Sequence, residues 1–158
     1  MGKDSITPFI DNPEKGAFIL CRTSNPSAVD LQNQQINIKS SDQTLNSIDK
    51  LPNEMLFDKT AQLCVEWNKN NNVGIVVGAT APKEISRIRN HAPSLPFLIP
   101  GIGAQGGDLT QSMVAGNKNG DALINISRGI SFSGDLSSKA IRNAAKDYLS
   151  QMREIIDI

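Results

Sequence analysis

The sequence predicts an α/β fold built on a parallel β-sheet. Short, nearly continuous apolar runs alternate with helical patterns from residue 17 to the end of the chain, and such runs are typical of strands that are covered on both sides. The last three runs begin at Val73, Pro96 and Asp121, which are 23 and 25 residues apart. Because this spacing leaves room for a crossover helix between strands, the strands should be parallel.

Four runs are predicted to be strands, and a helix is predicted after each of them. The strands are expected at residues 17–21, 73–77, 96–99 and 121–126. Apolar residues at helical spacing predict helices at about 54–69, 82–90, 108–116, and from 137 or 138 to the end. The last helix has the clearest apolar stripe, from Ile141 to Ile156, and this stripe should pack on the sheet.

The length of 158 residues fits one domain, so residues 1–158 are expected to form a single unit. A polar stretch at about 32–53 interrupts the strand–helix alternation and has few large apolar residues. This composition predicts a loop insertion on the surface. The alternative is a lid, since a long loop after a strand can close over a binding site.

The charged residues balance, with 16 Lys and Arg against 16 Asp and Glu. The balance excludes a global field that would draw the chain to nucleic acid or to an anionic membrane, so we expect neither partner, and any anion site must be local. No apolar run approaches the ~18 residues of a membrane span. Cys21 and Cys64 are too few for a disulfide framework and lack CxxC spacing, which favours the reducing cytoplasm.

The most informative segment is PFLIPGIGAQGGDL, residues 96–109. A strand ends at Pro100, glycines follow at 101, 103, 106 and 107, and Asp108 can cap the next helix. Glycines allow backbone N–H groups to approach a phosphate, and the Gln105 amide could reach the same ligand. For this segment taken alone, a flexible connection is an equally simple interpretation.

The following strand ends in ISRGI, residues 126–130. The carboxyl ends of parallel strands meet at one edge of a sheet, so Arg128 and the glycine-rich loop should be neighbours. Arginine binds phosphate with two parallel hydrogen bonds, and the Gly129 N–H could add a backbone donor. Arg128 alone would suggest a surface ion pair, but the two segments together predict a phosphate site.

The residues RTSNP, 22–26, follow the first strand and should lie at the same edge. The side chains of Ser24 and Asn25 each donate and accept hydrogen bonds, which suits the edge of a planar imide such as a pyrimidine. Taken alone, however, this segment is better interpreted as a strand end turned by Asn-Pro.

His91, the single histidine, lies after a predicted helix and before Pro93. This position belongs to the opposite edge of the sheet, so His91 is not expected to be catalytic. The sequence contains no HxxxH and no GxSxG. A metal site and serine-type acyl transfer therefore have no support.

Four blocks of the sequence occur in this order: RTSNP (22–26), VGIVVGAT (73–80), LPFLIPGIGAQGGDL (95–109) and ISRGI (126–130). Together they resemble the bacterial-type branch of the orotidine 5′-monophosphate decarboxylases, which apicomplexan parasites share. The resemblance implies a (β/α)8 TIM barrel, to which this chain supplies roughly the last four βα units. It also implies a cytoplasmic lyase of pyrimidine (UMP) biosynthesis that is a homodimer in its full-length form. Such an enzyme converts orotidine monophosphate to uridine monophosphate and CO2 with no metal or organic cofactor.

The same resemblance assigns the phosphate side of the site. Arg128, with the Gly129 N–H, would hold the 5′-phosphate of the nucleotide. Gln105 would bridge the phosphate and the pyrimidine.

The resemblance also assigns the pyrimidine side. Ser24, helped by the backbone near Asn25, would contact the edge of the pyrimidine. Pro100 would form an apolar wall beside the base, where the carboxylate leaves.

The family's catalytic pattern, Asp-x-Lys-x-x-Asp in the first half of the barrel, has no match in this chain. Lys3 and Asp4 resemble the family's segment after the fourth strand, so we expect a truncated reading frame or a split chain that is inactive alone. A phosphate-binding half barrel of another biosynthetic enzyme and a non-catalytic nucleotide-binding fragment are the alternatives. The RTSNP block favours the decarboxylase, because the phosphate loops alone would fit any of these proteins.

Overall fold

The computed structural model describes residues 2–36 and 54–156, and these residues form one parallel sheet covered by helices on one side. The strands are β1 Ala17–Arg22, β2 Val73–Val77, β3 Phe97–Pro100 and β4 Ala122–Asn125. They lie in the order β1-β2-β3-β4, and every neighbouring pair is parallel. The predicted α/β fold with four parallel strands is therefore confirmed.

The four predicted helices are present with small shifts at their ends, and two short helices were not predicted. They are α1 Lys3–Ile10, α2 Leu56–Trp67, α3 Pro82–His91, α4 Leu109–Gly116, α5 Ser127–Ser131 and α6 Ser138–Ile156, with a 3-10 turn at Pro26–Asp30. The predicted cap of α4 is present, since the Asp108 carboxylate accepts a hydrogen bond from the Gln111 N–H at 2.8 Å. The Ser137 hydroxyl likewise accepts from the Ala140 N–H at the start of α6.

The prediction that α6 packs on the sheet is wrong. The helix packs chiefly against α4 and α5, and Tyr148 and Met152 reach the edge of the core. No described residue of α6 is fully buried, and Leu149 and Ile156 remain exposed. The apolar stripe is wider than the surface that α4 and α5 offer, so part of it faces outward beyond the last strand of the sheet.

The core lies between the sheet and its helices. The helix α2 packs on β1 and β2, α4 packs on β3 and β4, and α3 lies between the two helices. Side chains that are completely buried on this face include Ile75, Phe97 and Ile99 from the strands and Ile85 and Ile88 from α3. Apolar burial on this face supplies the main stabilisation of the fold.

The other face of the sheet is open. Strand residues alternate between the two faces, and several of those pointing away from the helices are large and apolar. Phe18, Leu20 and Leu123 are 42%, 64% and 54% exposed, respectively. The outer strands β1 and β4 each have one neighbour in the described sheet. Large apolar side chains beside open strand edges are typical of a surface that another part of a protein covers.

Both cysteines lie in the covered face. The Cys21 thiol donates to the Phe57 carbonyl at 3.2 Å, and burial raises the pKa of Cys64 to about 12 and that of Cys21 further. Each thiol is therefore neutral at physiological pH and packs as a small apolar side chain.

The polar stretch at 32–53 is described only at its base. An isolated antiparallel bridge pairs Gln35 with Met55, and the Ile36 N–H donates to the Glu54 carbonyl at 2.9 Å. The two ends of the stretch therefore meet in front of α2. Residues 37–53, on which the loop and lid interpretations depend, lie outside the described part of the chain.

Arg89 occupies the amino edge of the sheet, the edge at which the strands begin. Its guanidinium lies 3.5 Å from the centre of the Phe97 ring and is almost fully buried. It donates to the Leu95 carbonyl at 2.7 Å and the Asp121 carbonyl at 3.0 Å, immediately before β3 and β4, and also to the Gly116 carbonyl at the end of α4. Burial lowers the pKa of Arg89 to about 10, so the group stays charged at neutral pH.

His91 also lies toward the amino edge, as predicted, although it is the last residue of α3 and not part of a connection. Its Nε2 is 3.4 Å from Oδ1 of the buried Asp58. The same carboxylate accepts two hydrogen bonds from Arg87 and one from the Met55 N–H at the start of α2. This cluster joins α2 to α3, so the histidine belongs to the packing of the helices.

Candidate functional site

The segments that follow the four strands meet at the carboxyl edge of the sheet. The Gly78 N–H donates to the Arg22 carbonyl at 2.7 Å, and the Ala79 N–H donates to the Pro100 carbonyl at 2.8 Å. Ser127 and Arg128 follow β4 at the same edge. The sequence-based prediction that these segments share one edge is confirmed.

Ser24 and Gln105 are brought together across 81 residues of sequence. The Ser24 hydroxyl donates to Gln105 Oε1, and the Ser24 carbonyl accepts from the Thr80 hydroxyl at 3.1 Å. The Asn25 amide donates to the Ser27 hydroxyl at 2.7 Å. The polar groups of the RTSNP segment therefore point along the carboxyl edge and are held by neighbours on β2 and on the glycine-rich loop.

A first depression lies over this segment and has a volume of about 720 Å³. It is lined by Arg22, Ser24, Asn25, Pro26, Val29, Thr80 and Gln105. Hydroxyl and amide groups line one side of the depression, and the apolar surfaces of Pro26 and Val29 line the other side. This combination suits a flat heterocycle, which presents a polar edge and apolar faces.

A second depression of about 220 Å³ lies on the other side of Gln105. It is lined by Pro100, Gly101, Ile102, Ala104, Gln105, Asn125, Ser127 and Arg128. Gln105 lines both depressions, so a single amide side chain separates them.

Two glycines allow the close packing between the two depressions. A Cβ on Gly78 would lie 2.5 Å from the Ser24 nitrogen, which no real side chain tolerates. Gly101 has φ +107°, and its Cβ would lie 3.0 Å from Gln105 Oε1. The backbone at both positions must approach Ser24 or Gln105 more closely than an L side chain permits.

Arg128 and Gly129 lie in α5, a five-residue helix that the sequence patterns did not predict. The Arg128 side chain is exposed and makes no hydrogen bond or ion pair with any described residue. Gly129 lies in the first turn, where helix N–H groups lack partners within the helix. A free guanidinium beside free amide donors forms a positive site that suits an anion.

Sequence reasoning missed two further polar residues at this edge. Thr80 follows β2 and supports Ser24, and the Asn125 carboxamide accepts from the Ser127 hydroxyl at 2.8 Å at the entrance to α5. Asn125 lies at the end of a predicted strand and Thr80 lies three residues after one, and this position is the signal that could have identified them. Their partners are distant or non-adjacent residues, however, so the hydrogen bonds themselves required the fold.

The described residues contain no group of three or more His, Cys, Asp and Glu side chains placed to hold a metal ion. Neither depression is lined by a lysine or a carboxylate. Among the described helices, none is both long and apolar enough to cross a membrane. The site is thus equipped to bind a neutral heterocycle and an anion, but it holds no acid, base or ammonium group.

Comparisons with known proteins relate this chain to one family. Residues 1–142 match the model of the orotidine 5′-phosphate decarboxylase / HUMPS family. Orotidine 5′-phosphate decarboxylases from Halorubrum lacusprofundi and Delftia acidovorans are 44% and 46% identical over 145 and 151 residues. These alignments cover 88% and 92% of this chain, but 48% and 50% of the relatives. The chain thus spans about half the length of the curated relatives it matches.

Solved structures give the same result. The Leishmania donovani UMP synthase matches with a TM-score of 0.79 and 39% identity, covering 98% of this chain and 31% of that protein. The Leishmania donovani OMP decarboxylase matches with a TM-score of 0.77 and 37% identity, covering 98% of this chain and 54% of that protein. The four parallel βα units therefore belong to the TIM-barrel fold that the resemblance implied. Because the family model covers nearly the whole sequence, the chain belongs to the orotidine 5′-phosphate decarboxylase / HUMPS family.

Proposed function

We propose that this chain supplies the substrate-binding half of an orotidine 5′-monophosphate decarboxylase, which forms uridine monophosphate and CO2. The observation that carries the proposal is the position of Gln105, which lines both depressions and accepts a hydrogen bond from Ser24. A nucleotide needs one subsite for its base and one for its phosphate, and a bridging amide can contact both.

In the phosphate subsite, Arg128 and the Gly129 N–H bind the 5′-phosphate. The Arg128 guanidinium is exposed and unpaired among the described residues, so it can form two parallel hydrogen bonds to the phosphate oxygens without first breaking an ion pair. Gln105 contacts the nucleotide between this phosphate and the pyrimidine.

In the base subsite, Ser24 and the backbone at Asn25 contact the polar edge of the pyrimidine. Pro100, the last residue of β3, lines the second depression beside Gln105, and from there it forms an apolar wall beside the base at the point where the carboxylate leaves. An apolar wall favours release of CO2, because it solvates the neutral product better than the charged carboxylate.

The chemistry itself requires groups that neither depression contains. Loss of CO2 leaves an electron pair and negative charge on a ring carbon, and an adjacent ammonium must stabilise this charge and deliver the replacing proton. We propose that these groups are the lysine and aspartates of an Asp-x-Lys-x-x-Asp segment in the other half of the barrel.

The open face of the sheet supports this arrangement. Residues 1–158 would form one half of a single barrel domain, and the other four βα units would cover Phe18, Leu20 and Leu123 and pair with the edges of β1 and β4. We further propose a cytoplasmic, homodimeric full-length protein whose partner is a small nucleotide and not a nucleic acid, on the basis of the resemblance and the balanced charge.

Complementation tests the proposal. The purified chain is assayed for decarboxylation of orotidine monophosphate alone and after mixing with the separately expressed first half of the Delftia acidovorans relative. We expect no turnover by the chain alone and turnover on mixing. A first half whose Asp-x-Lys-x-x-Asp lysine is replaced by alanine is the matched control and should restore nothing.

Two outcomes would contradict the proposal. Turnover by the chain alone would show that the missing lysine is not needed. Binding of uridine monophosphate by the mixed halves without any turnover would favour a non-catalytic nucleotide-binding fragment.

A further inference from the structure

Gln32 links the RTSNP segment to the start of α2. Its side-chain Oε1 accepts from the Thr23 N–H at 2.8 Å and lies 3.1 Å from the Thr23 hydroxyl, which can donate to it. Its backbone carbonyl accepts from the Phe57 N–H at 3.1 Å, and its own N–H donates to the Ala28 carbonyl at 2.8 Å. One half-buried glutamine therefore joins the end of β1, the 3-10 turn and the first turn of α2.

The contact matters because Thr23 directly precedes Ser24. On the carboxyl side of Ser24, the Thr80 hydroxyl donates to the Ser24 carbonyl and holds this part of the backbone. On the preceding side, the hydrogen bond from Thr23 to Gln32 holds the peptide group that joins β1 to Thr23. With both flanks held, the Ser24 hydroxyl is directed at Gln105.

Asn25 depends on the same contact. The Thr23 hydroxyl can donate either to Gln32 or to the Asn25 carboxamide oxygen, and it has only one hydrogen to give. Removal of the Gln32 acceptor would leave the Thr23 N–H without its partner and would leave Asn25 as the remaining acceptor for the Thr23 hydroxyl. Both changes act on the two residues that carry the base subsite.

Gln32 itself lines neither depression. We propose that Gln32 is a positioning residue for the pyrimidine: it sets the backbone of Thr23 and thereby orients Ser24 and Asn25 toward the base. This inference rests on the proposed function, and it assigns pyrimidine affinity to a residue at the base of the polar stretch.

The chemistry requires only an oxygen acceptor at this position. Gln32→Leu removes the acceptor at similar volume, whereas Gln32→Glu retains an oxygen that can accept from Thr23. Gln62 on α2 supplies a matched control, because it is also half-buried, lines neither depression, and its side chain makes no hydrogen bond with any described residue. Gln62→Leu therefore makes the same substitution without removing a contact to the base subsite.

The experiment compares two ligands, uridine monophosphate and ribose 5-phosphate, on this chain both alone and mixed with the first half of the Delftia acidovorans relative. Ribose 5-phosphate lacks the base, so it reports the phosphate subsite alone. We expect Gln32→Leu to weaken uridine monophosphate binding about tenfold, as for a lost hydrogen bond, and ribose 5-phosphate binding by less than about twofold. Gln32→Glu should recover most of the affinity, and Gln62→Leu should change the binding of neither ligand.

Equal losses for the two ligands would overturn the inference, since they would indicate general damage to the fold. Unchanged binding of uridine monophosphate by Gln32→Leu would also overturn it while leaving the proposed function intact. Failure of the unmodified protein to bind uridine monophosphate in both formats would overturn the proposed function and this inference together. Gln32→Ala, which removes the acceptor without a branched side chain, provides the same comparison if the leucine variant does not fold.

Discussion

The two edges of the sheet each carry an arginine, and the two arginines are used in opposite ways. At the amino edge, Arg89 is buried, lies over the Phe97 ring and donates to the carbonyls of Leu95, Gly116 and Asp121. At the carboxyl edge, Arg128 is exposed and has no partner among the described residues. The first arrangement satisfies the guanidinium within the protein, and the second leaves it available to a ligand.

The difference follows from the direction of the helices. In a βα unit the helix runs back against its strand, so helix carboxyl ends gather at the amino edge and helix amino ends at the carboxyl edge. Carbonyls at the ends of α3 and α4 therefore surround Arg89 with acceptors. Arg128 instead lies in the first turn of α5, where the helix favours negative charge. An anionic ligand at this position would balance both the guanidinium and the helix end.

The largest expected effect is at the amino edge. Arg89→Met should reduce the free energy of unfolding by roughly 3–5 kcal/mol, because the buried carbonyls lose their donors and the cation–π contact is lost. Urea unfolding measures the change. Arg142→Met, at an exposed position on α6, is the control and should change stability by less than about 0.5 kcal/mol. A loss below about 1 kcal/mol at Arg89 would show that the buried guanidinium adds little to the fold.

Arg128→Ala should show the reverse pattern. We expect the mixed halves to lose about 30-fold in kcat/KM for orotidine monophosphate, or about 2 kcal/mol, while the free energy of unfolding stays unchanged. The parallel assay uses orotidine, which has no phosphate and should respond little to the substitution. Arg128→Lys keeps the charge but not the two parallel donors, so its kcat/KM for orotidine monophosphate should lie between those of the unmodified protein and of Arg128→Ala. The same fractional loss on both substrates would refute the phosphate role.

Close packing at the carboxyl edge gives the next effect. Gly78→Ala would place a methyl group 2.5 Å from the Ser24 nitrogen, so the Ser24 backbone must move. We expect a loss of stability of about 1–2 kcal/mol and weaker binding of uridine monophosphate than of ribose 5-phosphate. Gly2→Ala is the control, because its φ of −119° accepts a side chain and the nearest atom to the added carbon is the exposed Asp4 carboxylate oxygen at 3.2 Å. Equal effects on the two ligands would place the damage outside the base subsite.

The smallest effect is expected behind the phosphate subsite. The Tyr148 hydroxyl of α6 lies against two glycines, since a Cβ on Gly129 would be 2.7 Å from it and one on Gly103 would be 3.3 Å away. Tyr148→Phe should weaken ribose 5-phosphate binding about twofold, because the hydroxyl that packs against the backbones of Gly103 and Gly129 is removed. Tyr148→Leu removes the ring as well and should weaken binding further. No change in either variant would mean that α6 does not support the phosphate subsite.

Sequence periodicity determined the parts of the fold that local patterns encode. The apolar runs at β2 and β3 located two central strands, because both faces of each strand carry apolar side chains. The helices α3 and α4 were recognisable from Pro82 and Asp108 at their amino ends. Two helices escaped these patterns: α1 contains Pro8, which usually breaks a helix, and the five residues of α5 are too short to show a period.

The candidate residues Ser24, Gln105 and Arg128 could be selected from sequence because each follows a predicted strand, and parallel strands end at one edge. Their arrangement was decided by tertiary structure alone. No local pattern indicates that Gln105 separates two depressions, that Gln32 holds Thr23, or that Gly78 must lack a side chain because Ser24 packs on its backbone. These relations join residues that are distant in sequence, and they exist only after the strands have paired. The sequence therefore specified which chemical groups reach the carboxyl edge, and the packing of the sheet specified which of them touch.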